Sequence, residues 1–188
     1  MTIASAKLVI LDRDGVINRD SEAFVKTPEE WIPVDGSIEA IARLSQAGFR
    51  VAVATNQSGL ARGLLTQDML DAMHRKLHDL VEEQGGHVDG VFYCPHGPDE
   101  ACPCRKPLPG LLHQIAETLA VKIEGVPMVG DSERDLLAAE AAGCKPVLVK
   151  TGKGLATMVN ANPRLLARTQ VFEDLAAFVD DLLFRSAP

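Results

Sequence analysis

Leu8-Val9-Ile10-Leu11-Asp12-Arg13-Asp14-Gly15-Val16-Ile17 is the stretch on which the fold of this chain turns. Four consecutive apolar residues, with no polar residue at every second place, read as a strand buried on both faces. The run stops at two aspartates two residues apart. Extended geometry sends residues i and i+2 to the same side, so both carboxylates face one point above the sheet while Arg13 faces away. Gly15 suits the sharp turn that follows. Carboxylates this close repel one another unless a cation joins them, although a solvated turn with a helix cap uses the same residue types.

Outward from this run, apolar stretches of strand length recur at Val51 to Ala54, Val88 to Tyr93, Pro127 to Val129 and Pro146 to Val149. Helical periodicity falls between them at Ser37 to Gln46, Gln67 to Glu83, Leu111 to Leu119 and Glu133 to Ala142, with a last helix at Glu173 to Leu183. Gly48 and Gly143 stand where a helix C-terminus wants glycine. Fully apolar strands alternating with helices specify an α/β class, a doubly wound, mostly parallel sheet covered on both faces. The 188 residues suit one domain, taken as 1–188, and 46% apolar with 24% charged residues is a globular balance. The formal charge of −7 argues against nucleic-acid or anionic-membrane partners, so an anionic ligand must be held locally. No run approaches the ~18 apolar residues of a membrane span and no signal pattern precedes Lys7, so a cytoplasmic monomer acting on a small molecule is expected.

Three further segments carry chemistry. Gly130-Asp131-Ser132-Glu133-Arg134-Asp135 again sets acidic residues where a strand meets a helix. The helix dipole alone favours Asp135 there, but a hard cation shared with Asp12 and Asp14 explains why two strands both end in aspartate, and magnesium is suited to the task. Thr55-Asn56-Gln57-Ser58-Gly59 offers hydroxyl, amide and backbone N–H groups to phosphate oxygens, or forms a plain capped turn. Cys94-Pro-His96 and Cys102-Pro-Cys104, five residues apart, can close a four-ligand structural zinc shell with no place for water. The loop around them has five prolines and two glycines from Pro95 to Gly110, so it needs an ordering agent, and zinc supplies one. Arg105 and Lys106 follow directly. Cys144 stands alone and reads as a small core residue.

Together, Asp12-Arg-Asp-Gly-Val, Ala54-Thr-Asn-Gln-Ser-Gly, Arg105-Lys-Pro and Gly130-Asp-Ser-Glu-Arg-Asp resemble the haloacid dehalogenase superfamily of phosphatases over roughly Lys7 to Lys153. The zinc loop narrows the resemblance to the branch that holds the heptose-bisphosphate and histidinol-phosphate phosphatases. The segment Thr55 to Gly63 looks like the heptose side, which implies removal of a phosphate from a heptose bisphosphate during lipopolysaccharide or related glycan precursor synthesis. A histidinol-phosphate phosphatase is the sibling alternative, and a non-catalytic zinc-stabilised binding module the bland one.

The resemblance also implies roles. Asp12 is expected to be the nucleophile that becomes a phosphoaspartyl intermediate and Asp14 the general acid and base. Thr55 and Lys106 hold the transferring phosphoryl group. Magnesium is expected on the Asp12 side chain, the Asp14 backbone carbonyl and Asp131, with Asp135 orienting. Asn56, Gln57 and Arg105 look like substrate contacts, and zinc is expected on Cys94, His96, Cys102 and Cys104. Many relatives carry a cap domain, but no insertion here is long enough, so a capless, open site is expected with specificity from short loops such as Asn18 to Pro33. Ser132 stands where some relatives have lysine, and Lys153 in Thr151-Gly-Lys153-Gly could reach a phosphate or sit in a solvated turn.

Overall fold

The computed structural model describes residues 7–186; the remaining residues of the 1–188 domain reading, including those before Lys7 read for a signal pattern, lie outside the described residues. Six strands, β1 (Leu8–Leu11), β2 (Arg50–Asn56), β3 (Gly90–Cys94), β4 (Pro127–Gly130), β5 (Lys145–Val149) and β6 (Gln170–Phe172), form one sheet in the order β3-β2-β1-β4-β5-β6. Every pairing is parallel. Among the described residues seven helices accompany them: α1 (Ser37–Gln46), α2 (Gln67–Glu83), α3 (Gly110–Thr118), α4 (Glu133–Ala141), α5 (Gly154–Asn160), α6 (Pro163–Leu166) and α7 (Leu175–Ser186).

The side-chain alternation of β1 divides the core into two layers. Val9 and Leu11, with Val51 and Val53 of β2, pack with Ile41 and Leu44 of α1, Leu70 and Met73 of α2 and Phe178 of α7. Leu8 and Ile10, with Ala52 and Ala54, pack with Leu111 and Ile115 of α3 and Ala138 and Ala139 of α4. All four β1 residues are at most 1% exposed, and burying each such side chain is worth about 1.5–3 kcal/mol. Fully apolar strands therefore mark a sheet sandwiched between helices, as the sequence predicts. The chain runs leftward from β1 to β3 and then returns to the other side of β1, so the strand order reverses between β1 and β4. In open parallel sheets, ligands bind outside the carboxyl ends at such a point.

Boundaries differ from the sequence-based expectation in instructive places. β2 runs on through Thr55 and Asn56, and β3 through Cys94, so residues expected in loops are fixed by strand pairing: Thr55 is level with Tyr93 and Asn56 with Cys94. Val88 and Asp89 precede β3 because Asp89 turns its carboxylate onto the Val51 N–H (2.8 Å) and the Arg50 side chain (2.8 Å). The last helix begins at Leu175, where Asp174 accepts from the Ala177 N–H at 2.8 Å as a cap. β6, α5 and α6 are absent from the sequence reading. Only one helix and a loop lie between β1 and β2, so no cap domain covers the sheet there.

Candidate active site

Asp12 and Asp14 leave β1, Thr55 to Gln57 end β2, and Asp131 follows β4, so all meet above the carboxyl edge at the reversal point. They line a cavity of about 330 Å³ together with Lys106, Asp135, Asn56, Arg105 and residues of the Asn18–Pro33 loop. That loop is ordered rather than slack. Asn18 bridges to Pro33 at its base, Trp31 is fully buried, and Lys76 Nζ donates to the carbonyls of Pro28 (2.7 Å) and Trp31 (2.8 Å).

Lys106 is 2% exposed and its ammonium meets three acceptors: Asp12 Oδ1 at 2.9 Å, Asp135 Oδ1 at 2.6 Å and the Ala54 carbonyl at 2.7 Å. Burial works against its charge, but Asp12 and Asp135 outweigh it and hold the ammonium well above its usual range. With three donors and three partners, Lys106 must exchange one to touch a phosphoryl oxygen. Its backbone is held by Asn56, which accepts from the Lys106 N–H and donates to the Lys106 carbonyl, both at 3.0 Å. Asn56, expected as a substrate contact, thus uses its oxygen and one of its two amide hydrogens to place Lys106. Asp135 is equally committed, with Oδ2 accepting from Ser132 N (3.0 Å) and Ser132 Oγ (2.6 Å). This explains Ser132: it begins α4 and fixes Asp135.

Asp12 Oδ1 also accepts from the Arg13 N–H at 2.8 Å, so Oδ2 is the oxygen without a hydrogen bond among the described residues. Burial first, then the Asp135 charge, push the Asp12 carboxyl up to about 7. Burial, then Asp12 and Asp135, push Asp131 up to about 8. One ligand oxygen each from Asp12, Asp131 and Asp135 lie within 4.8 Å of one another. Gly15 at φ +86° makes this approach possible, for a Cβ there would come within 2.0 Å of Asp131 Oδ2. Lys153 sits on the same aspartate, its N–H donating to Asp131 Oδ2 at 2.8 Å, and its ammonium pairs with Asp20 at 2.9 Å. It does lie in an exposed turn, as one reading of the sequence expects, but its ammonium is paired with Asp20.

Asp14 behaves differently. Burial raises its pKa, but the Arg13 charge and hydrogen bonds from Asn18, Arg13 and Gln57 overcome it and leave the carboxyl below its usual value. Arg13 does not keep clear of Asp14 as strand alternation predicts. Beyond Leu11 the chain is no longer strand, and Arg13 turns its buried guanidinium onto both Asp14 oxygens at 3.0 and 3.1 Å. Gln57, expected on substrate, donates instead to Asp14 Oδ2 (2.8 Å) and Thr55 Oγ1 (2.9 Å). That leaves the Thr55 hydroxyl hydrogen free for a phosphoryl oxygen.

Along one side, Cys94, His96, Cys102 and Cys104 gather without disulfides. Their contacts are 3.2 Å (Cys94–Cys104), 3.3 Å (Cys104–His96 Nδ1), 3.5 Å (Cys94–His96 Nδ1) and 3.7 Å (Cys94–Cys102). A tetrahedral zinc at its usual bond lengths holds sulfur and nitrogen ligands about 3.5–3.8 Å apart, so the cluster has close to the right edge lengths. Burial, then the hydrogen bond with Cys104, push the Cys94 thiol up to about 12.

Comparison with known proteins follows the same lines. A family described as HAD-hydrolase-like matches residues 103–178. The protein named D-glycero-beta-D-manno-heptose-1,7-bisphosphate 7-phosphatase from Pseudomonas putida is 58% identical over 94% of this chain and 99% of its own length. Its namesake from Neisseria meningitidis serogroup A is 48% identical over 96% and 97%. The crystal structure of D,D-heptose 1,7-bisphosphate phosphatase from B. bronchiseptica, complexed with magnesium and phosphate, superposes with a TM-score of 0.90 at 55% identity, covering 95% of this chain and 98% of that one. The chain belongs to the haloacid dehalogenase-like phosphatases. It is thus a phosphoric monoester hydrolase.

Within this phosphatase, sequence reasoning turned Arg13 away from Asp14 and missed His74 and, on the cavity wall, Arg134, while Asn18, Asp20 and Phe24 fall in the loop expected to set specificity without being singled out. Asn18 lies four residues beyond Asp14, near enough for its amide to have been suspected. Nothing in the sequence points to His74, which lies 61 residues from its partner Arg13.

Proposed function

We propose that this phosphatase removes the 7-phosphate of D-glycero-D-manno-heptose 1,7-bisphosphate through a phosphoaspartyl intermediate, with magnesium at the Asp12–Asp131 cluster and a structural zinc on the four-ligand loop. Two buried carboxylates pushed up to about 7 and about 8 form a site that favours a divalent cation. Asp12, Asp131 and the Asp14 backbone carbonyl would hold magnesium, which when bound supplies positive charge against the phosphate dianion. Asp12 Oδ2 attacks phosphorus while Lys106 and the Arg13 N–H fix Oδ1. The bond from phosphorus to the sugar O7 breaks, and Asp14, which must first take up a proton against its lowered pKa as the phosphate dianion arrives beside it, gives that oxygen the proton. Asp14 then takes a proton from the water that attacks the phosphoaspartate, which releases phosphate and restores Asp12. Without cations nearby, a carboxylate and phosphate at ~4 Å would repel by about 4 kcal/mol per charge pair at an effective dielectric near 20. Lys106 works against that term.

The observation that carries the substrate choice is the cavity rim. Arg62, Arg105 and Arg134 line it and make no ion pair among the described residues. Such a rim suits a second phosphate and disfavours the ammonium of histidinol phosphate, and the relatives named for the heptose substrate support the same choice. The rival picture of a non-catalytic zinc-stabilised module gives no reason for Asp12, Lys106 and Asp135 to be buried together. Measured side by side, kcat/KM for heptose 1,7-bisphosphate is expected to exceed that for histidinol phosphate, and Arg105→Ala to lower it about tenfold more than for a small monophosphate. A preference for histidinol phosphate would overturn the substrate assignment. The net charge of −7 supports a protein without nucleic-acid or anionic-membrane partners, and one cytoplasmic, monomeric domain acting on a sugar phosphate completes the proposal. No helix among the described residues is long and apolar enough to cross a membrane.

The raised carboxylates set a pH dependence. Folding without magnesium raises Asp12 and Asp131 from 3.8 to about 7 and about 8, so their stabilising proton uptake is complete below 3.8 and is lost as pH rises through 7 to 8. Asp14 and Asp135 are lowered and contribute nothing variable in that window. In magnesium-free buffer Tm should fall between pH 6 and 8.5, and added magnesium should raise it more at pH 8.5 than at 6. Calorimetry at both values checks this; a magnesium effect independent of pH would contradict the placement.

A further inference from the structure

Asp14 is held by four hydrogen bonds: two from Arg13 Nη2, one from Asn18 Nδ2 to Oδ1 at 2.9 Å, and one from Gln57 to Oδ2. Arg13 is the cation among these donors and is 1% exposed. What fixes Arg13 is His74, on the inner face of α2, whose Nε2 stands 3.3 Å from Arg13 Nη1. A guanidinium only donates, so His74 Nε2 must accept and the ring is neutral with its proton on Nδ1. Burial, then the Arg13 charge, push His74 down to about 3, in keeping with that state. The charged and titratable groups facing the ring are Arg13, Asp71, Asp14 and His78. Tyr93 of β3 tilts against it, centroids 5.8 Å apart. Arg13 Nε has no hydrogen-bond partner among the described residues, so Asp14 and His74 are the two side chains there that define where the guanidinium lies.

We propose that His74 is a positioning residue for the acid step: by accepting the Arg13 Nη1 hydrogen bond it fixes the guanidinium against Asp14, and so fixes the direction in which Asp14 meets the leaving oxygen. The proposal rests on the phosphatase mechanism above. Cleavage of a sugar phosphate puts negative charge on an alkoxide oxygen that needs the Asp14 proton as the phosphorus–oxygen bond breaks, whereas p-nitrophenolate leaves without one. Misdirecting Asp14 therefore harms one substrate class and spares the other. A defect in the phosphoryl site itself harms both.

The test compares kcat/KM, which reports the steps through phosphoaspartate formation, on heptose 1,7-bisphosphate and on p-nitrophenyl phosphate. His74→Leu keeps volume and removes the acceptor. It is expected to lower kcat/KM for the sugar phosphate by on the order of 10- to 100-fold and for the aryl phosphate by less than about threefold. His74→Gln, whose amide oxygen accepts, is expected to restore most of the loss. Equal losses on both substrates, or no loss on the sugar phosphate, overturn the proposal. Should His74→Leu fail to fold, the nitrogen NMR spectrum of the unaltered protein at pH 7 decides: Nδ1 protonated and Nε2 bare supports the contact, while a protonated Nε2 overturns it. Hydrolysis of neither substrate by the unaltered protein overturns the phosphatase mechanism and the role of His74 with it.

Discussion

Asp12→Asn is expected to lower kcat by on the order of 10⁴-fold or more while the protein stays folded and keeps the proposed zinc. The amide matches the carboxylate in shape, and its oxygen can still accept from the Lys106 ammonium and the Arg13 N–H, which now hold Asp12 Oδ1 at 2.9 and 2.8 Å. What it lacks is an anionic oxygen to attack phosphorus. The fold should not suffer, because burial first and then the Asp135 charge push the Asp12 carboxyl up to about 7, and a neutral group relieves both. Tm in magnesium-free buffer at pH 8 should therefore be unchanged or higher. Steady-state assays with two substrates, together with calorimetry, check both halves. Retention of more than a few per cent of activity, with contamination excluded, would contradict covalent attack by Asp12.

The catalytic edge was legible in the sequence for a definite reason. Buried parallel strands are apolar throughout, so the first polar residues after Leu11 and Gly130 mark the sheet's carboxyl edge, and a motif placed there is placed in space as well. The gathering of Cys94, His96, Cys102 and Cys104 was legible because cysteine and histidine pairs at short spacing have few other uses. The inner circuitry was not. Asn56 and Gln57 look like ligand contacts because amides suit phosphates, yet the structure spends them on the Lys106 backbone and on Asp14. Which use wins depends on main chain fifty residues away, which no local pattern encodes. Arg13 escaped in the same manner, its direction being set by His74 on another element. β6 and α5 were missed because they lie at the exposed margin. Gln170 and Val171 are exposed, as are Leu155 and Val159, so neither segment shows the burial pattern that periodicity detects.

If the four-ligand loop holds zinc as proposed, its loss is expected to abolish most activity even with magnesium saturating, because that loop carries Lys106. Pro95 to Pro109 holds no helix or strand, and Cys104 lies two residues before Lys106. Without metal, the loop is tied down near Lys106 by the Asn56 clamp and by Arg105 Nη1 donating to the His96 carbonyl at 3.1 Å. Structural zinc contributes apparent binding free energies of about 10–16 kcal/mol in small domains, comparable with the whole 5–15 kcal/mol stability of a typical fold. Part of that is regained by relaxation, yet even a net loss of about 3–5 kcal/mol lowers Tm by about 10 °C for a chain of this size. A freed loop also withdraws Lys106 from Asp12 and Asp135, which leaves two buried carboxylates without their cation, itself a cost of about 3–5 kcal/mol. Cys104→Ser should thus purify with well under one zinc per chain, melt about 10 °C lower and retain less than about a tenth of kcat at saturating magnesium. Elemental analysis, calorimetry and assay on one preparation test the chain of cause. A zinc-free variant with full activity would show that the loop orders Lys106 without metal, and the structural role assigned to the four ligands would fall.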